Sequence, residues 1–207
     1  MNVKIIAAIL ALVVIVVGGY FLVYAPYQEG VLSENYDSGL QEASAIETKI
    51  IATTKQFNNQ QSTDADILMN TINNDIVPKY SEEIEKLNKT ADYANNDPVK
   101  SKYIELQCKR LELESKNLNG TVATLNAISQ YVKGEKTPED AQTSINNANT
   151  EMSESQKELE GVYVDIRTLL TQNPDFNQTL QDLHLEKPFY GETREEAQTQ
   201  NITNAST

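Results

Sequence analysis

From Ile5 to Tyr24 the chain reads IIAAILALVVIVVGGYFLVY, twenty residues without a charge. Such a run must bury its backbone polar groups within its own helix if it lies in lipid, and at 1.5 Å per residue it matches a hydrocarbon layer of about 30 Å. Residues 5–25 are therefore expected to form a transmembrane signal anchor whose first partner is the lipid bilayer. A cleaved secretory signal, cut after Gly18-Gly19, is the alternative, although its apolar region is normally only about 7 to 15 residues long. No Cys follows the run, so no lipoprotein-type anchor is expected.

Charge orients the segment. Lys4 precedes it, whereas the first charges beyond it are Glu29, Glu34 and Asp37, with no Lys before Lys49. Residues 1–4 should lie in the cytoplasm and everything beyond residue 25 outside the cell membrane, a single-pass arrangement. Tyr20, Phe21, Tyr24 and Tyr27 fall where the helix would leave the hydrocarbon. With only about four residues inside, no inward signalling by a domain of the chain's own is expected.

The remainder is acidic: 16 basic residues follow Lys4 against 30 acidic ones, a net charge of −14. Phosphate backbones would be repelled, so nucleic acid is excluded as a partner. Trp is absent and Gly and Pro are sparse among 207 residues, which favours helices over a sandwich rich in turns.

Four apolar stripes fill the expected domain, residues 28–173. The first is Leu32, Tyr36, Gly39, Ala43, Ile46, Ile50, Thr53, Phe57, in alternating steps of four and three, the seam of a packed helix. The second runs Ala65, Met69, Ile72, Ile76, Tyr80, Ile84, Leu87, Ala91, Ala94 after a cap at Ser62 or Thr63. Two added steps of four near Pro78 mark a stutter, and a kink is expected there. Asp97-Pro98 opens the third: Ile104, Cys108, Leu111, Ser115, Leu118, Val122, Leu125, Ser129, Val132. Thr137-Pro138-Glu139-Asp140 opens the fourth, from Ala141 to Leu169, which Pro174 closes.

Helices over 28–58, 63–94, 98–133 and 138–172 predict an all-α ectodomain, an antiparallel up-down four-helix bundle of long coiled-coil-like helices. A long hairpin that dimerises to complete its core is the alternative, since periodicity does not count chains. Residues 174–207 read as a polar tail, with a docked turn or two around Leu180, Leu183, Leu185 and Phe189-Tyr190 and disorder from about Gly191.

Site chemistry is sparse. Cys108 is the single cysteine, so it is either a small buried residue or the seat of an intermolecular disulfide. His184 is the single histidine and reads as a surface residue rather than a general base. No carboxylate-x-x-His pair appears, so no di-iron site is encoded. The runs Glu82, Glu83, Glu85 and Glu154, Glu158, Glu160 read as solvated helix faces, the alternative being weak calcium binding. Neither cofactor nor metal nor catalytic residue is expected.

Asn-x-Ser/Thr occurs at Asn88, Asn119, Asn177, Asn201 and Asn204, all beyond the span, where N-glycosylation is possible. Random order of 20 Asn and 30 Ser plus Thr gives about three such sites, so the excess is small. Gly39, Thr53, Ser115, Ser129 and Ser155, small or polar on the seams, would either line a small-molecule pocket or bond back to their own turns.

A tethered helical bundle resembles in general outline the ligand-sensing domains of chemoreceptors, although this chain has no second membrane helix. The expectation is a non-enzymatic, membrane-anchored extracytoplasmic protein, an envelope or surface scaffold or partner-binding module with unknown protein partners, among them a second copy of itself. The alternative is an extracytoplasmic ligand-binding accessory subunit of a membrane sensor or transporter complex.

Overall fold

The computed structural model describes residues 25–59, 62–94 and 96–193. The expected span falls outside them save for Ala25, as do residues 1–4, Asn201 and Asn204. Among the described residues no helix is long and apolar enough to cross a membrane.

The protein is all-α. Helix α1 covers Ala25–Asn58, α2 Ala65–Thr71, α3 Val77–Ala91, α4 Pro98–Val132, α5 Pro138–Gln172 and α6 Pro174–Asp182; a π-helical turn, Ile72–Ile76, joins α2 to α3, and a 3-10 turn covers Lys187–Tyr190. The boundaries follow local chemistry. Asp97 accepts from the Val99 and Lys100 amides with Pro98 next in line, and Thr137 Oγ1 accepts from the Asp140 amide, so the first turns of α4 and α5 are capped as their sequences indicate. At α2 the cap is Asp64 rather than Ser62 or Thr63: its carboxylate accepts from Asp66 and Ile67, while Ser62 Oγ accepts from the Asp64 amide.

The kink expected at Pro78 takes the form of the π-turn. Proline has no N–H to give and its ring crowds the carbonyl four residues back, so the winding widens just before it, with the Val77 amide reaching Ile72 O. Two regular steps of four drift by about 80° around a helix. The wider turn absorbs that drift, leaving Ile72, Ile76 and Tyr80 all buried.

Successive long helices run antiparallel, as the paired residue numbers show. Between α1 and α3, Gly39 lies against Thr90 and Glu42 pairs with Lys86. A Cβ at Gly39 would come within 2.2 Å of Thr90 Oγ1, so glycine sets how closely these helices approach. Between α2–α3 and α4, Asp66 meets Ser129 at 2.7 Å and Lys133 at 2.6 Å, whereas Glu83 meets Arg110. Between α4 and α5, Glu114 meets Tyr163 at 2.6 Å and Gly120 lies against Met152, while Ser155 Oγ donates to Leu113 O at 3.2 Å.

After Pro174 there is more structure than a docked turn or two. The segment holds α6 and the 3-10 turn, and it bridges α1 and α5. The Glu186 amide donates to Ser44 Oγ at 2.8 Å, Thr48 Oγ1 donates to Glu186 Oε1 at 2.7 Å, and Arg167 donates to Gly191 O. Leu180, Leu185 and Phe189 are buried in the common core. Gly191 sits at φ 78°, with room for no Cβ, since one would stand 2.8 Å from Tyr163 O. Only glycine turns the chain this way against α5.

Candidate functional site: a buried arginine cluster beside a groove

Helix α4 is covered on several sides, so residues flanking its seam are buried with it. Tyr103, Gln107, Arg110 and Glu114 join Ile104 and Leu111 in the interior. Arg110 is 0% exposed. Its Nη2 donates to Glu47 Oε2 of α1 at 3.0 Å and to Glu83 Oε1 of α3 at 3.3 Å. Nη1 reaches both oxygens of Glu114, at 3.3 and 3.2 Å, and Nε donates to Gln107 Oε1 at 2.9 Å.

A second layer fixes the first. Tyr163 of α5 donates its hydroxyl to Glu114 Oε1 at 2.6 Å. The Phe189 ring lies 5.8 Å from the guanidinium carbon, and its carbonyl accepts from Tyr103 Oη at 2.8 Å and Gln107 Nε2 at 3.1 Å. One planar cation thus ties together α1, α3, α4, α5 and the C-terminal segment, a role suited to the fixed fork of arginine donors. Among the described residues three carboxylates surround a single guanidinium in the cluster.

Glu114 and Tyr163 also line a groove of about 680 Å³ together with Tyr80, Asn117, Met152 and Leu159. Thr193 lies along the same groove. The Asn117 Oδ1 atom is buried there, with no hydrogen-bond partner among the described residues. A second hollow of about 630 Å³ lies between α5, α6 and the 3-10 turn and includes Arg167, His184 and Lys187.

The residues singled out from sequence do not converge. Cys108 is half-buried on α4, with Sγ 3.7 Å from Asn88 Oδ1 of α3. Asn88 and Asn119 are exposed on helices, and Asn177 is half-buried in the first turn of α6. His184 adopts φ 54° in an exposed turn, its Nδ1 2.7 Å from Gln181 O. None of Gly39, Thr53, Ser115, Ser129 and Ser155 lines the groove. Thr53 bonds back to Lys49 O, while Ser129 and Ser155 bond across to neighbouring helices.

Of the acidic runs, Glu82, Glu85, Glu154, Glu158 and Glu160 are exposed as solvated faces. Glu83 corrects that reading: it is 0% exposed and belongs to the cluster. Sequence reasoning also passed over Glu47, Arg110 and Glu114. The available signal was adjacency, since Glu47 follows Ile46, Glu83 precedes Ile84 and Arg110 precedes Leu111 on their stripes. Among the described residues no group of three His, Cys, Asp or Glu side chains is arranged to hold a metal.

Two titrations follow from this packing. Burial, reinforced by Glu112 and Glu83, pushes the Cys108 thiol up to about 11. A rise of about two units lowers the thiolate population roughly 100-fold. Iodoacetamide at pH 8 is therefore expected to alkylate native Cys108 about 100-fold more slowly than the urea-unfolded chain, read by mass spectrometry; equal rates would contradict the packing.

Burial also raises Tyr36 and Tyr103 above the ordinary phenol range, with Asp97 adding to the effect at Tyr36 and Tyr36 adding to it at Tyr103. The folded chain keeps these protons after the unfolded chain releases them near pH 10. Their contribution is thus fully present below about pH 10 and lost above it, at up to about 1.4 kcal/mol per pH unit for each tyrosine. Urea melts from pH 9 to 11.5 are expected to show this slope, and the Tyr36→Phe, Tyr103→Phe double variant to flatten it.

No protein-family model, curated protein or solved structure matches the chain.

Proposed function

We propose that the chain is a non-enzymatic, membrane-anchored module, held in the bilayer by residues 5–25, with its helices standing outside as an antiparallel four-helix bundle that acts as a surface scaffold or partner-binding element. One observation carries this reading: the buried Arg110 cluster joins helices to one another, Arg110 of α4 to Glu47 of α1 and Glu83 of α3, and Glu114 of α4 to Tyr163 of α5. Buried networks of this kind specify one arrangement of their elements, which serves a stiff module about 50 Å long better than it serves turnover. The acidic surface, with a formal charge of −13 for the chain, suits extracytoplasmic protein partners rather than nucleic acid.

The groove of about 680 Å³ favours a second reading, a ligand-binding accessory subunit of a membrane complex. Topology decides first between an external module of either kind and something else. A C-terminal epitope tag on intact cells is expected to be lost to protease from a membrane-bound species of unprocessed mass. A protected tag, or a soluble shortened species, would overturn the anchored external module.

A further inference from the structure

We infer that the hollow between α5, α6 and the 3-10 turn is a binding site for a small zwitterion, an α-amino acid with an apolar side chain, whose carboxylate meets Arg167 and whose ammonium meets Glu186. The site is separate from the groove beside the Arg110 cluster, and it adds a ligand to a module otherwise read as a scaffold.

Besides His184, four charged side chains line this hollow of about 630 Å³ among the described residues: Arg167, Glu186, Lys187 and Glu192. Two of them answer one another, with Lys187 Nζ 3.1 Å from Glu192 Oε2. The side chains of the other two meet only neutral groups among the described residues. Arg167 donates to the Gly191 carbonyl, and Glu186 Oε1 accepts from Thr48 Oγ1 at 2.7 Å. Each keeps most of its hydrogen-bonding capacity, since a guanidinium carries five donors and a carboxylate accepts on two oxygens. The wall therefore sets one cation and one carboxylate, each without an opposite charge, in a single recess. A plain anion drawn to Arg167 would face Glu186, and a plain cation would face Arg167; a ligand bearing both charges satisfies the pair.

The apolar part of the wall sets the rest of the ligand. Leu170 and Leu185 are buried at the same place, so an apolar side chain finds apolar surface there. Both charges are also held before any ligand arrives. Ser44 and Thr48 of α1 fix the Glu186 amide and carboxylate, and Gly191 O fixes Arg167. Groups ordered in advance lose less freedom on binding, and the planar fork of arginine takes a carboxylate through two parallel bonds.

The test is isothermal titration of the full chain in detergent micelles with L-leucine. A dissociation constant of about 0.1 mM is expected for a ligand of this size. N-acetyl-L-leucine lacks the ammonium and L-leucinamide lacks the carboxylate, and each should bind at least ~10-fold more weakly. No heat with leucine below about 10 mM, or equal binding of either analogue, would overturn the inference.

Two variants locate the site. Glu186→Gln keeps an oxygen for Thr48 to donate to, and in it leucine should bind no better than N-acetyl-L-leucine. In Arg167→Gln leucine should bind no better than leucinamide. Undiminished leucine binding by Glu186→Gln would put the ligand elsewhere and refute the site, even if Arg167→Gln fails to fold. Because binding is read on the purified chain, its failure leaves the anchored-module reading standing, and a protected tag in the topology experiment leaves this site standing.

Discussion

Replacing Arg110 by leucine is expected to lower the thermal midpoint by about 10 °C, from a loss of roughly 4 kcal/mol, because removing one partner of a buried ion cluster strands the others. Glu47, Glu83 and Glu114 would all lose their common donor, and Gln107 the bond to its Oε1. Arg110→Lys should recover only part of the loss. A single ammonium cannot reach Glu47, Glu83, Glu114 and Gln107 in the directions that a guanidinium spans. Circular dichroism melts of the three proteins at neutral pH check this, and an Arg110→Leu midpoint within 2 °C of the parent would refute a structural role for the cluster.

Phe189→Ala is expected to cost about 4 kcal/mol, comparable in size but different in kind. The backbone carbonyl that accepts from Tyr103 and Gln107 is retained, so the loss isolates the fully buried ring. An aromatic-sized void would open beside the guanidinium and beneath the segment that bridges α1 and α5. Chymotrypsin should then cut first after Tyr190, releasing the C-terminus while the long helices remain intact, and gel analysis over time would show it. Phe189→Leu should restore most of the protection, since it refills most of the volume. Unchanged cleavage in the alanine variant would mean that the ring does not hold the segment in place.

The helices were legible in the residues because their signals are local. Alternation of three and four, Asp97-Pro98 and Thr137-Pro138 each act within a turn or two of themselves, and α4 and α5 begin where those pairs stand. The Asp64 cap was masked by Ser62 and Thr63, three eligible residues in succession. Helix α6 is nine residues long, too short for a repeating stripe to announce it. The cluster was illegible for a different reason. Arg110, Glu47, Glu83 and Glu114 look like ordinary surface charges on their own helices, and only the meeting of α1, α3 and α4 makes them interior. Periodicity reports which face is apolar; it does not report how far around the helix its neighbours extend.

The π-turn at Ile72–Ile76 separates two quantities that a regular helix keeps proportional, the number of residues in the strand of chain and the length of seam it presents. Here one surplus residue is stored without any loss of interior contact. The stretch from Asp64 to Ala91 therefore carries a built-in allowance in phase, so that Asp66 meets Lys133 at one end while Glu83 meets Arg110 at the other. Insertions and deletions, which elsewhere in these helices would rotate everything beyond them out of alignment, have at this one place a position where the chain can lengthen or shorten by a residue and change only its pitch.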